Sequence, residues 1–170
     1  MIIELANVGT VPKMIELTFE PAEIDLAGES VTLNGKVVFS GEAEREGAKA
    51  TVKGMVGVDA MLDCTRCLEP IAKHLEFQFR DIFVDSAMED TRTEAEIAAE
   101  QLDESLVENG QIDMAEVVRE QILLALPEQI FCREDCRGLC PKCGENLNLI
   151  DCKCADDDID PRWAALKSLK

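Results

Sequence analysis

Eight cysteines carry the chemistry that this sequence could perform: Cys64, Cys67, Cys132, Cys136, Cys140, Cys143, Cys152 and Cys154. The C-terminal six are spaced C-x3-C-x3-C-x2-C-x8-C-x-C. Structural zinc is held by four thiolates or imidazoles at tetrahedral positions, with sulfur at about 2.3 Å. Two cysteines two residues apart fit one turn around such an ion. The most specific piece is Cys140-Pro141-Lys142-Cys143-Gly144. Pro141 stiffens the turn, and Gly144 permits a positive φ after the second sulfur, which leaves backbone N–H groups free to donate to the thiolates.

Chain geometry divides the eight into two tetrads. Cys140 and Cys143 can close a compact knuckle with Cys152 and Cys154. Cys64, Cys67, Cys132 and Cys136 then form a second site that clips a hairpin tip to a distant segment, where loop-closure entropy makes a crosslink most effective. An interleaved partition also satisfies the spacing. The Cys152-x-Cys154 step is unusual for zinc and leaves room for one spare thiol. The expected cofactor is two structural Zn2+ ions. Closed sites of four cysteines leave no position for water or substrate, so the reading is non-enzymatic. The single histidine, His74, is expected at the surface.

Other chemistries find less support. The chain contains no Gly-rich phosphate loop, no GxSxG and no HExxH. Cys64-Thr65-Arg66-Cys67 could be a redox dithiol, but such a motif opens a helix, and here a strand-like pattern follows at once. A thiol redox protein using Cys64 and Cys67, and a zinc store or metallochaperone, are the alternative readings.

The elements that must position these cysteines are mostly strands. Lys49 to Leu62 alternates, with Val52, Val56, Val58, Ala60 and Leu62 on one face. Ile71 to Val84 alternates through Leu75, Phe77 and Phe79, so the two runs predict a long hairpin with Cys64 and Cys67 at its tip. Segments around Ile2–Leu5, Ile15–Phe19 and Val31–Phe39 predict further strands, and Asn34-Gly35 suits a tight turn. Residues 113–126 predict a helix. Asp113 is its N-cap, Glu116 completes a capping box, Ile112 and Val117 form a hydrophobic staple, and Pro127 ends it. The run Ile122 to Leu126 predicts burial on most sides, with the helix packed across the sheet. A short helix is expected after Asp160-Pro161, carrying Trp163, Leu166 and Leu169. No internal repeat is evident. The fold expected is α+β: an antiparallel β-rich body (1–85) with a long hairpin, an acidic loop or exposed helix (86–112), a buried helix (113–127) packed on the body, and a cysteine-rich, zinc-clipped segment (128–170).

Composition sets the class of partner. The chain has 170 residues, 46% hydrophobic and 31% charged, with 35 acidic residues against 17 basic ones and a formal charge of −18. A domain of this size buries about 70% of its unfolded surface. Residues 81–120 hold 13 acids and two bases, Arg92 and Arg119. Such a charge distribution opposes binding to nucleic acid through a basic face and docking on anionic membrane, and it favours a basic partner. The acidic stretch reads either as a solvated surface or as the docking arm for that partner. The N-terminus has no basic n-region before an apolar run, and no stretch approaches the roughly 20 apolar residues of a transmembrane helix. The expected compartment is the cytoplasm, where clustered cysteines are read as metal ligands rather than disulfides.

These residues also match a known pattern. The chain resembles the large ribosomal RNA subunit accumulation protein family, the YceD family of bacteria and plastids. The matching blocks are Cys64-Thr65-Arg66-Cys67-Leu68-Glu69-Pro70, Ile112-Asp113, Glu120 to Pro127, Cys132 to Gly144, Asn146-Leu147-Asn148, Cys152-Lys153-Cys154 and Asp160 to Leu166. The resemblance implies a cytoplasmic protein needed for 23S ribosomal RNA accumulation, hence a role in ribosome biogenesis. It also implies that the Cys64, Cys67, Cys132, Cys136 tetrad is the common site, because some members lack the CPxCG knuckle. A chain of charge −18 is repelled by ribosomal RNA, so the expected partner is a basic protein, such as a ribosomal protein, or a pre-ribosomal particle. Arg133, Arg137, Lys142 and Lys153 cluster around the cysteines and make direct RNA binding the less favoured alternative.

Overall fold

The computed structural model describes residues 1–26, 31–86, 104–154 and 162. The backbone divides into two units, Met1–Leu62 with Ile71–Glu128, and Asp63–Pro70 with Gln129–Lys170. The first unit holds strands β1 (Ile2–Glu4), β2 (Lys13–Phe19), β3 (Val31–Leu33) and β4 (Val37–Glu46). The long strands β5 (Lys49–Asp63) and β6 (Pro70–Asp85) follow, then β7 (Glu104–Val107), β8 (Gln111–Asp113) and helix α1 (Met114–Ala125). The main sheet runs β2-β4-β5-β6-β7, with β3 also paired to β5, and β1 pairs β8 in a separate two-stranded sheet. β2–β4, β4–β5, β3–β5 and β1–β8 are antiparallel, while β6–β7 is parallel. The β-rich, mainly antiparallel architecture with one helix among the described residues agrees with the expected fold class.

The period-two pattern of β5 decides which face is core. Ala50, Val52, Val56, Val58, Ala60 and Leu62 are all buried. β4 pairs alongside them through Phe39↔Val56 and Ala43↔Val52, and β2 pairs with β4 in turn through Leu17↔Phe39, with Val37, Phe39, Ala43, Leu17 and Phe19 also buried. Gly41 and Gly54 face each other across β4 and β5. A Cβ on either would lie 2.6 Å from the Phe39 ring. The glycine pair therefore makes the space in which Phe39 lies flat and reaches Phe79, centroid to centroid 5.6 Å away.

Three expectations need correction. Asn34-Gly35 does not reverse the chain into a hairpin. β3 and β4 both pair with β5, through Leu33↔Ala60 and Val38↔Gly57. The chain only bends between them, with Asn34 N–H donating to the Asp59 carbonyl at 2.8 Å. A strand of 15 residues offers an edge long enough for two short partners in succession. The stretch 86–112 is not one loop or helix where it is described. Its end forms β7, in register with β6 from Ile82↔Glu104 to Asp85↔Val107, and β8, in register with β1 through Ile3↔Ile112. Lys49 anchors β7 by an ion pair with Glu104. Strands of four and three residues show too few alternations to stand out from a polar background.

The third correction concerns α1. Asp113 caps it as expected, its Oδ1 accepting from Ala115 N–H at 3.0 Å. Ile112 and Val117 are both buried, in the positions of a staple. Burial, however, follows one stripe, Met114, Val117, Val118 and Ile122, and Leu124 is 77% exposed. Five consecutive residues span more than a full turn at about 100° each, so one face cannot cover them all. Residues 87–103 and the short helix expected after Asp160-Pro161 lie outside the described residues. Among the described residues no helix is long and apolar enough to cross a membrane.

Gln121 ties α1 to β6, its Nε2 donating to Asp81 Oδ2 at 3.0 Å. Burial, aided by the nearby Glu120 carboxylate, raises the Asp81 pKa despite this hydrogen bond. A carboxyl whose pKa is raised on folding contributes stability below its unfolded value, about 3.9, and loses it as pH rises through the folded value. Asp81→Asn keeps the acceptor and removes the charge. Its melting temperature should exceed that of the wild type at pH 7, with the gap closing toward pH 4. A gap that is constant with pH contradicts this reading.

Candidate metal centres

Within the second unit, the tip of the β5–β6 hairpin is a tight turn. Cys64 N–H donates to the Glu69 carbonyl and Leu68 N–H donates to the Cys64 carbonyl, both at 2.9 Å. Residues 140–145 repeat this arrangement: Cys140 N–H donates to the Glu145 carbonyl at 2.8 Å, and Gly144 N–H to the Cys140 carbonyl at 2.9 Å. Leu68 and Gly144 both take a left-handed backbone, at φ 60 and φ 76. The two knuckles are the same structure built twice, on Cys-Thr-Arg-Cys-Leu-Glu and Cys-Pro-Lys-Cys-Gly-Glu. This corrects the expectation of no internal repeat: C-x-x-C-x-E occurs twice, at Cys64–Glu69 and Cys140–Glu145.

Polar contacts bring Cys132 and Cys136 to the first knuckle. Thr65 donates to the Ile130 carbonyl through both its backbone N–H, at 2.9 Å, and its hydroxyl, at 3.0 Å. The Arg66 guanidinium donates to the Cys136 carbonyl at 3.0 Å and lies 3.9 Å from the centre of the Phe131 ring. Arg66 thus spends its charge on holding segment 130–136 in place. In the result, the sulfurs of Cys64, Cys67, Cys132 and Cys136 all lie within 4.8 Å of one another, and so do those of Cys140, Cys143, Cys152 and Cys154. These are the two expected sets. Both Cys152 and Cys154 join the second, so neither is spare in this geometry.

The donor chemistry fits a tetrahedral ion. Ligand sulfurs at about 2.3 Å from one ion stand about 3.8 Å apart. Cys64 and Cys136 Sγ are 3.8 Å apart, and Cys67 and Cys132 Sγ 3.6 Å. All eight cysteines are free thiols. Each set could hold one metal ion, and four soft sulfurs are compatible with zinc. The first set is sheltered, with Cys64, Cys67 and Cys136 buried. The second is more open, with Cys143 and Cys154 exposed.

The knuckle turns also set the charge of the sulfurs. Burial would raise the Cys64 thiol, but N–H groups of Arg66, Cys132 and Cys67 bring it down to about 6. Cys140 falls to about 6 because the N–H groups of Cys143 and Lys142 point at it. Cys136 is lowered chiefly by the Asn148 side chain. Burial and the surrounding thiols push Cys132 up to about 12, and the Cys143 thiol, with burial, pushes Cys154 up to about 12. Backbone donors thus lead in favouring the thiolate of the first cysteine of each knuckle, with neighbouring thiols adding to them.

Asn148 is the functional residue that sequence reasoning missed. It figured there only as part of a family block, and an asparagine in a polar loop carries no spacing signal. Of the four basic residues near the cysteines, Arg133 pairs with Asp135 at 3.5 Å and Arg137 with Asp151 at 2.7 Å. His74 is exposed, as expected, and bonds to Asp59 at 2.7 Å.

The fold and these two thiol sets define a β-rich protein with a cysteine-built C-terminal part. The family description "Large ribosomal RNA subunit accumulation protein YceD" matches residues 52–170, and the chain belongs to that family. It is 30% identical to an uncharacterized protein of Mycobacterium tuberculosis (strain H37Rv), over 98% of this chain and 79% of the relative. It is 26% identical to the uncharacterized protein YlbN of Bacillus subtilis, over 89% of this chain and 84% of the relative. A chloroplastic relative in Zea mays, named large ribosomal RNA subunit accumulation protein YCED homolog 1, is 24% identical over 81% of this chain and 57% of the relative. No solved structure matches the chain.

Leu68 is 61% exposed and left-handed, where the second knuckle has glycine. A left-handed non-glycine residue costs roughly 1–2 kcal/mol. Leu68→Gly should raise resistance to denaturant by about 1 kcal/mol, part of the relief being offset by the extra freedom of glycine in the unfolded chain. Loss of stability in this variant would show that the leucine side chain holds the turn.

Proposed function

We propose that the protein is a non-enzymatic cytoplasmic factor in large-subunit ribosome biogenesis, needed for 23S ribosomal RNA accumulation. In this reading it carries two structural Zn2+ ions and acts through a basic protein partner. The observation that carries the role is the family match over residues 52–170, together with the printed names of the chloroplastic relatives. Zinc is supported by the two closed sets of four thiols, which leave no open coordination position. The buried positions of Cys64 and Cys67 argue against a redox dithiol, which must meet its substrate. The exposure of Cys143 and Cys154 favours a second reading for that site alone, a zinc ion in exchange with the surroundings.

Charge supports the choice of partner. In the first unit, a cavity of about 700 Å³ opens between β7, β8 and the start of α1. Its walls include the exposed apolar residues Ile2 and Leu106, and its rim carries Glu108, Glu116 and Glu120, with no lysine or arginine among the lining residues. A mostly polar, carboxylate-rimmed lining with a few apolar side chains suits a basic segment. Arg133 and Arg137 each sit beside an exposed carboxylate, Asp135 and Asp151, which lowers the net positive charge an RNA would meet there.

The test is a pull-down on the tagged protein from growing cells at low salt, with and without RNase, identifying every retained protein and RNA, compared with the triple variant Glu108→Lys, Glu116→Lys, Glu120→Lys. The expected result is a basic protein held after RNase, released by added salt, and lost from the variant. Recovery of precursor 23S RNA alone, lost on RNase treatment, would move the contact to RNA.

A further inference from the structure

The loop of the second thiol set reaches a ligand position of the first. Asn148 lies between Cys143 and Cys152, so a metal ion bound by those two cysteines would close the loop that carries it. Its Nδ2 donates to Cys136 Sγ at 3.3 Å, and its Oδ1 accepts from Arg137 N–H at 2.8 Å. Its own N–H donates to Asn146 Oδ1 at 2.9 Å. Asn146 Nδ2 in turn donates to Glu69 Oε1 at 3.2 Å, beside the first knuckle. Leu147 N–H donates to the Gly138 carbonyl at 2.9 Å. One short loop thus touches the first set on two sides, at Cys136 and at the Cys64–Glu69 turn.

We infer that Asn148 is a positioning residue that couples the two centres, so that an ion in the Cys140, Cys143, Cys152, Cys154 set strengthens binding in the Cys64, Cys67, Cys132, Cys136 set. This rests on reading both sets as metal centres. The physical reason is shared ordering. Residues 144–151 are exposed or half-buried, so little core packing fixes them. An ion gripped at both ends removes the loop's freedom once, and the amide then meets Cys136 at no further entropic cost. Hydrogen bonds from outside the ligand set typically change metal affinity 10–100-fold when removed. Linkage makes the effect reciprocal, so the first ion strengthens the second by the same factor. The exposed second set meets solvent first, and loss of its ion would loosen the sheltered one.

The test uses Co2+, whose tetrathiolate complexes are coloured, in titrations of the metal-free full chain. Six proteins are compared: the wild type, Asn148→Ala, and Cys140→Ser/Cys143→Ser and Cys64→Ser/Cys67→Ser each with and without Asn148→Ala, so that each excess is taken against single-centre affinities in its own background. The wild type should take two equivalents, and each double variant one. The overall two-ion affinity of the wild type should exceed the product of the two single-centre affinities by about tenfold or more. In Asn148→Ala that excess should collapse to within about twofold. The same variant should also shift the sulfur-to-cobalt charge-transfer band of the first centre to lower energy, because the amide no longer stabilises the Cys136 lone pairs. A loosened loop alone would not move that band. A wild-type excess within twofold, or an excess that survives Asn148→Ala, overturns the coupling while leaving both centres intact. Failure of the wild type to bind Co2+ overturns the metal reading itself. Should a double variant not fold, the band still decides on the contact: an unmoved charge-transfer band in Asn148→Ala overturns the hydrogen bond through which the coupling acts.

Discussion

The organising interaction is the backbone N–H···S hydrogen bond of a Cys-x-x-Cys turn. It needs a turn tight enough to aim amides at the first sulfur, and that turn needs a left-handed residue after the second. Gly144 meets the need without strain, and Leu68 meets it with strain. Once formed, the turn favours the thiolate form of Cys64 and of Cys140, with neighbouring groups adding to its effect. Among the described residues of the second unit, the polar contacts bring two more sulfurs to each turn. Thr65 and Arg66 do this for the first, and the 144–151 loop, with Asn148, links it to the second.

This dependence follows from how little else the described residues of the second unit have. Residues 129–154 contain no helix or strand, only an isolated bridge between Leu139 and Asn146. Their buried positions are Ile130, Cys136, Gly138 and Cys140. So small an apolar core does not hold a chain segment unaided, and segments of this size rely on disulfides or metals. The first unit is the opposite case. Its sheet buries Val37, Phe39, Val52, Val56 and Val58 and needs no crosslink to explain it. Its acidic rim around β7 and α1 then remains available as surface.

How far the sequence was legible follows from the length of each signal. β5 and β6 alternate over 15 and 16 residues, so their hairpin and its inner face were readable. The helix start was readable because Asp113 and Pro127 bracket an apolar run. The cysteine cluster was readable from its spacing, while its division into these two sets was one of two partitions the spacing allowed. The pairing of β3 and β4 along one edge of β5 was not, since a local Asn-Gly signal cannot report which distant strand supplies the partner. β7 and β8 were too short to show a period. Leu124 was misjudged because an unbroken apolar run hides which of its members faces outward. Asn148 acts only through three-dimensional contact with Cys136, and a loop asparagine has no periodicity to betray it.

The central claim is that two four-thiolate centres hold the second unit together. Its most direct test is the zinc content of the purified protein, measured together with its amide NMR spectrum before and after chelation. The account predicts two zinc ions per chain, and collapse of the dispersed signals of residues 129–154 on chelation while the signals of β4 and β5 persist. Persistence of the 129–154 signals in metal-free protein would contradict it.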